Sequence, residues 1–230
     1  MESTSSTDSI SSGRYAAFFD LDHTILNVNS GKVLILMAYR KGLLTRTELL
    51  NAFWFSIVYK LKAGDTSKLL GKMVGWIKGK HEEILDNLSG EVFSEHIKKA
   101  IRNEIRTEIM RHKNNGAVTV ILSSSIMPLC SRVADHLGID EILCTLLETK
   151  DGIYTGKTEN NLCFGKEKAV RLTQFCKYKN INPSESYYYG DSKDDFHALA
   201  TVGNPVCVSP DKKLRKIAES RGWRIISDFE

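Results

Sequence analysis

Two aspartates end an apolar run near the start of the chain. In YAAFFDLDHTIL, Tyr15 to Leu26, Asp20 and Asp22 stand one residue apart directly after Phe19. Either carboxylate is costly to take out of water, and neighbouring ones repel and compete for protons. A hard divalent cation relieves that repulsion. Mg2+ takes oxygen ligands, needs one or two carboxylates, and keeps places for water and a substrate phosphate. Other parts of such a site recur along the chain. Ser123-Ser124-Ser125 follow AVTVIL, Lys166 and Lys168 open a helical pattern, and Asp191, Asp194 and Asp195 follow SYYYG. Asp20 with Asp191 would supply metal ligands, and Ser123 with Lys168 would complement the remaining oxygens of a phosphoryl group. These parts suit phosphoryl transfer better than other chemistry.

Positioning them requires strands that end side by side. Six apolar runs read as strands, at 15–19, 117–122, 141–147, 186–190, 204–208 and 223–227. They lack polar alternation, which fits a sheet buried on both faces. Helical patterns at 126–137, 166–179, 193–200 and 211–221 alternate with them. The alternation predicts an α/β fold with a doubly wound, mainly parallel Rossmann-like sheet, whose ligands bind beyond the carboxyl ends of the strands. From 31 to 112 there is only helical periodicity. Gly42 closes one helix, Thr45-Arg46-Thr47-Glu48 is a capping-box pattern opening the next, and Gly64 with Asp65 separates that from a helix over 66–78. The expected division is a disordered tail at 1–13, an α/β core at 14–30 and 113–230, and an all-helical cap domain at 31–112. Ser124 and Ser125 have a second reading as caps of the helix entered near Pro128. DGIYTG reads as a hairpin or loop. Gly156-Lys157-Thr158 is not a phosphate-binding loop, because only three residues separate Gly152 from Gly156 where four are needed.

DLDHT, ILSSS, GKEKAVRL and YYYGDSKDD, in that order, resemble the four motifs of the haloacid dehalogenase (HAD) superfamily. The insertion after the first motif resembles subfamily IB, the phosphoserine-phosphatase-like branch, whose helical cap follows the first strand. The resemblance implies a Mg2+-dependent phosphatase that hydrolyses a small phosphorylated metabolite through an aspartyl-phosphate. It makes Asp20 the nucleophile, and Asp22 the acid that protonates the leaving oxygen and then activates water. Asp20, Asp191 and the Asp22 backbone carbonyl match the metal ligands. Ser123 and Lys168 match the phosphate holders, with Ser124 lending a backbone N–H at most. Thr24 supports the first motif, and Asp195 is either a ligand through water or a support for Lys168. Lys168 fits the lysine motif better than Lys166, being followed by a small residue and by an apolar one four positions on.

The leaving group is less determined. Asn29 stands where that branch carries a glutamate for the substrate's ammonium, and no arginine occurs between Arg46 and Arg102 to hold a carboxylate. Lys68 or Lys72 would lack the planar two-donor fork of arginine. Phosphoserine, histidinol phosphate, phosphocholine-like compounds and a lipid phosphate head group all stay open. So do a phosphotransferase or mutase with the same chemistry, and a non-enzymatic, receiver-like phospho-acceptor. Asp22 argues against the receiver, which needs no leaving-group acid.

Composition narrows the setting. Hydrophobic residues make up 42% and charged residues 26% of 230, as in a globular protein. The net charge of +4 is carried by basic runs at 98–113 and 212–224. Both runs hold glutamates at helical spacing and read as solvated helix faces, so no nucleic-acid partner is expected. The longest apolar run, 49–59, falls short of the about 20 residues that cross a bilayer. The N-terminus lacks a signal-peptide core, and five cysteines without CxxC spacing read as reduced, buried thiols. A cytoplasmic enzyme without a transmembrane segment is expected, of undetermined oligomeric state. Phe53-Trp54-Phe55 reads as core packing, with an apolar surface over the site as the alternative.

Overall fold

The computed structural model describes residues 15–60 and 75–227. The tail at 1–13, Gly64, Asp65, Lys68, Lys72 and most of the helix expected over 66–78 lie outside the described residues. Along the chain come β1 (Ala16–Phe19), α1 (Ser30–Arg40), α2 (Arg46–Lys60), α3 (Glu82–Val92) and α4 (Asn103–Asn114). Next are β2 (Val118–Ile126), α5 (Met127–Leu137), β3 (Glu141–Thr145), β4 (Leu147–Lys150) and β5 (Ile153–Thr158). After these come α6 (Lys166–Lys179), β6 (Tyr187–Gly190), α7 (Phe196–Leu199), β7 (Asn204–Val208), α8 (Lys212–Arg221) and β8 (Arg224–Ile226).

One sheet runs in the order β3-β2-β1-β6-β7-β8, with every pairing parallel. The chain leaves β1 toward β2 and β3, then returns to β6 on the other side. This reversal opens a crevice past the carboxyl end of β1, where an α/β sheet takes its ligand. Helices cover the sheet on both faces, and because successive side chains point to opposite sides each strand feeds two cores. Ala16 and Phe18 pack with Leu172 and Phe175 of α6 and Leu214 of α8. Ala17 and Phe19 belong to the other core, with Ile105 and Ile109 of α4 and Val133 of α5. β4 and β5 form a separate antiparallel hairpin, turning at Asp151-Gly152 where both residues have positive φ. Gly156, Lys157 and Thr158 are strand residues of that hairpin. Between β1 and β2 the described residues form helices and no strand.

Several expectations change. The run at 141–147 is two elements, because Thr145 ends β3 and Leu147 opens β4. β2 reaches Ile126 rather than 122, since β3 stays beside it past an irregularity and Ile126 pairs with Thr145. Ser123 to Ser125 are therefore strand residues. They do not cap α5, whose cap position is Ile126 and makes no side-chain hydrogen bond. The capping box of α2 does form: Thr45 N–H donates to Glu48 at 2.8 Å, and Glu48 N–H donates to Thr45 Oγ1 at 3.3 Å. Trp54 is 62% exposed, so core packing does not describe it. The basic runs are more than solvated faces. Arg111 from one and Arg224 from the other both bind Glu108. All five cysteines are buried free thiols. Among the described residues no helix is long and apolar enough to cross a membrane.

Candidate active site

Asp20 is the first residue past β1 and is still held in the sheet, its N–H donating to the Tyr189 carbonyl at 2.9 Å. The chain then makes one tight turn over Leu21–Ile25, in which His23 takes φ 60° and Asp22 is extended. The turn closes through Ile25 N–H to the Asp20 carbonyl and Leu26 N–H to the Leu21 carbonyl. Both acids are thus carried by one loop at the switch point. Asp22 Oδ1 accepts the Ser30 N–H at 2.8 Å, which seats it at the amino end of α1. That helix end favours the anion through its free N–H groups and dipole. Asn29 caps the same helix, its Oδ1 accepting the Lys32 N–H at 2.8 Å.

Lys168, in the first turn of α6, is buried and reaches across to the same crevice. Its Nζ lies 2.8 Å from Asp20 Oδ1 and 2.6 Å from Asp195 Oδ1. Lys166 is exposed. Asp195 is fixed from three directions: by Lys168, by the Tyr188 hydroxyl at 2.7 Å, and by Ser192 through its N–H and hydroxyl. The Tyr188 hydroxyl in turn accepts from Lys168 at 3.2 Å. Thr24 Oγ1 donates to Asp191 Oδ1 at 3.5 Å. Oxygens of Asp20, Asp191 and Asp195 all lie within 4.8 Å of one another.

Ser123 is buried, and its Oγ accepts the Ser125 N–H at 3.2 Å. Ser124 is exposed, and its carbonyl takes the Thr145 hydroxyl at 2.9 Å. The Ser125 and Ser30 hydroxyls meet at 3.1 Å, tying β2 to α1. Tyr188, Ser30 and Thr145 escaped the sequence reading. For Tyr188 the signal was present: a tyrosine in a strand buried on both faces must find a partner for its hydroxyl. Cys163 is buried, its thiol on the Leu143 carbonyl at 3.5 Å; burial pushes its pKa up to about 12, which disfavours the thiolate.

Burial dominates the acids' electrostatics. Asp20 is raised to about 7 by burial, with Lys168 opposing and Asp195 adding to the rise. Asp191 is raised to about 8, by burial first and then by Asp20 and Asp195. Burial also raises Asp22, against the hydrogen bonds from Ser30. Lys168 is held well above its ordinary value: burial works against the ammonium, but Asp195 and Asp20 outweigh it. Crowded, dehydrated carboxylates of this kind fit a hard divalent cation, which would offset both the burial and the mutual repulsion that raise Asp20 and Asp191.

A buried lysine and paired acids at the switch point of a parallel sheet define a phosphoryl-handling hydrolase. Residues 17–200 match the haloacid dehalogenase-like hydrolase family. The chain belongs to that family and is one of its phosphatases. It is 30% identical over 217 residues to a histidinol-phosphatase of Neisseria meningitidis serogroup C, covering 92% of this chain and 97% of the relative. A phosphoserine phosphatase of Mycobacterium tuberculosis is 28% identical over 219 residues, covering 91% of this chain and 70% of the relative. A protein of unknown function from Bordetella pertussis superposes with a TM-score of 0.85 at 25% identity, covering 94% of this chain and all of its own.

Proposed function

We propose that this phosphatase hydrolyses a small phosphomonoester through an aspartyl-phosphate on Asp20. The observation that carries the reading is the single loop after β1, which sets Asp20 against Lys168 and Asp22 against the amino end of α1. Asp20 Oδ forms a bond to phosphorus as the bond to the leaving oxygen breaks. Asp22 gives that oxygen its proton, and the alcohol departs. Asp22, now a carboxylate, takes a proton from the attacking water, which releases phosphate and restores Asp20. The unlike surroundings of the two acids support the unlike roles. Lys168 and Ser123 hold phosphate oxygens, while Asp195, Tyr188 and Thr24 keep Lys168 and Asp191 in place. Asp20, Asp191 and the Asp22 carbonyl would hold Mg2+, which when bound supplies charge neutralisation for the approaching phosphate. Of the helices between β1 and β2, α1 to α3 serve as the cap, while α4 packs against the sheet. Five buried thiols support a reducing, cytoplasmic setting.

Asp20→Asn tests the assignment in a phosphate-release assay on an aryl phosphate with Mg2+. The expected loss is about 10³-fold or more in kcat, and full activity would overturn the nucleophile. Chelation with EDTA is expected to stop turnover, and added Mg2+ to restore it.

A further inference from the structure

A cavity of about 300 Å³ opens beside Asp22, between α1, α2, α3, the end of β2 and the β4–β5 hairpin. Asp22, Ser124 and Ser125 form its polar end. Its walls are mostly apolar, with Ile35 from α1, Phe53 from α2, Leu85 from α3 and Leu129 from α5, together with Trp76 and Phe164. Among the described lining residues Lys32 is the one cation and Asp22 the one carboxylate. An amino-acid ester such as phosphoserine would bring an ammonium and a carboxylate into these walls, and each needs a partner when it leaves water. Lys32 could meet the carboxylate, but among the described lining residues the ammonium would find no carboxylate besides Asp22. Asn29 also lines the cavity, but its Oδ1 is engaged in capping α1. Asp22 is committed to the proton.

Resting on the phosphatase reading above, we propose that the leaving alcohol is apolar and that this cavity takes its alkyl or aryl body. A space of this size is ample for a hydrocarbon chain or ring of several non-hydrogen atoms, each with a share of about 30 Å³. A hydrocarbon guest that covers such walls removes their apolar surface from water, which favours its binding. The substrate class is therefore the phosphate monoesters of medium-length alkyl or aryl alcohols. The polar end at Asp22 places the ester oxygen, and the walls select what lies behind it.

The test compares kcat/KM of the wild-type protein with Mg2+ on a series from methyl to octyl phosphate, on phenyl phosphate, on phosphoserine and on histidinol phosphate. The expected result is a rise of about three- to fourfold per methylene until the cavity is full, with phosphoserine and histidinol phosphate below octyl and phenyl phosphate. A flat alkyl series, or either polar ester ahead of the apolar ones, overturns the apolar class while the phosphatase stands. No phosphate from any ester overturns the phosphatase reading itself. Ile35→Gln, on the half-buried face of α1, is expected to flatten the chain-length dependence. An undiminished slope in this variant would remove the cavity from the argument.

Discussion

The Tyr188 hydroxyl touches both members of the buried ion pair behind Asp20, accepting from Lys168 and donating to Asp195. Lys168 must serve two carboxylates with three hydrogens, and a neutral third partner fixes the direction of its Nζ without adding charge. Hydrogen bonds to charged groups contribute about 1.5–3 kcal/mol. Tyr188→Phe keeps the ring and removes only that bridge. Lys168 then gains freedom at the place where a phosphate oxygen would bind, and the expected outcome is a fall in kcat of about tenfold, with KM changed far less. Steady-state kinetics on an aryl phosphate check this. An unchanged kcat with a lowered melting temperature would restrict the hydroxyl to stability.

At the scale of elements, the strand ends matter most. β6 ends at Gly190, and a Cβ built there would stand 2.8 Å from Asp195 Cβ and 2.9 Å from its Cγ. Asp195 cannot retreat, because Lys168, Tyr188 and Ser192 hold it. Gly190→Ala is expected to shift the 3-10 turn at Lys193–Asp195, costing about 1–3 kcal/mol of stability and most of the activity. Thermal melting and turnover measured together check it; a fully active alanine variant would show that the turn can move. The strands of this sheet were legible because residues buried on both faces leave unbroken apolar runs, and the acids were legible because they follow those runs. The serines at the end of β2 were not: a polar strand end gives no periodic signal, and its pairing with Thr145 depends on a neighbour 19 residues on. The exposure of Trp54 was equally hidden, since a single aromatic triplet does not say which of its members faces the core.

Across the whole molecule, Tyr188 and Tyr189 send their hydroxyls to opposite faces of the sheet. Tyr188 reaches Lys168 and Asp195; Tyr189 reaches a second cluster at the protein surface, with Glu108, Arg111 and the buried His112 of α4, joined by Arg224 of β8. No sequence pattern links these residues, which lie up to 116 positions apart. His112 is fully buried and pushed down to about 4 by burial and then by Arg111. Glu108 is held at about 2: burial would raise it, but Arg224, Tyr189 and Arg111 prevail. Below the ordinary histidine value of about 6.5 the unfolded chain takes up a proton that folded His112 refuses until about pH 4. Its contribution is complete above that range and is lost as pH falls through it. The contribution of Glu108 is complete above about 4.5 and is lost as pH falls toward 2. Asp20 and Asp191 have the opposite sign. With folded values near 7 and 8, their contribution is present below the ordinary aspartate value and is lost as pH rises through those values. Mg2+ is expected to remove that opposing trend. In saturating Mg2+, urea unfolding of the wild-type protein should therefore show stability falling as pH drops from 6.5 to 4. His112→Phe keeps a ring between Tyr187 and Tyr189 but removes the titration, so it should be less stable at neutral pH and flatter toward acid. The gap between the two curves should narrow by roughly 3 kcal/mol across that window. Parallel curves would mean that His112 is protonated in the folded state, and that the Glu108 cluster holds an imidazolium rather than a neutral ring.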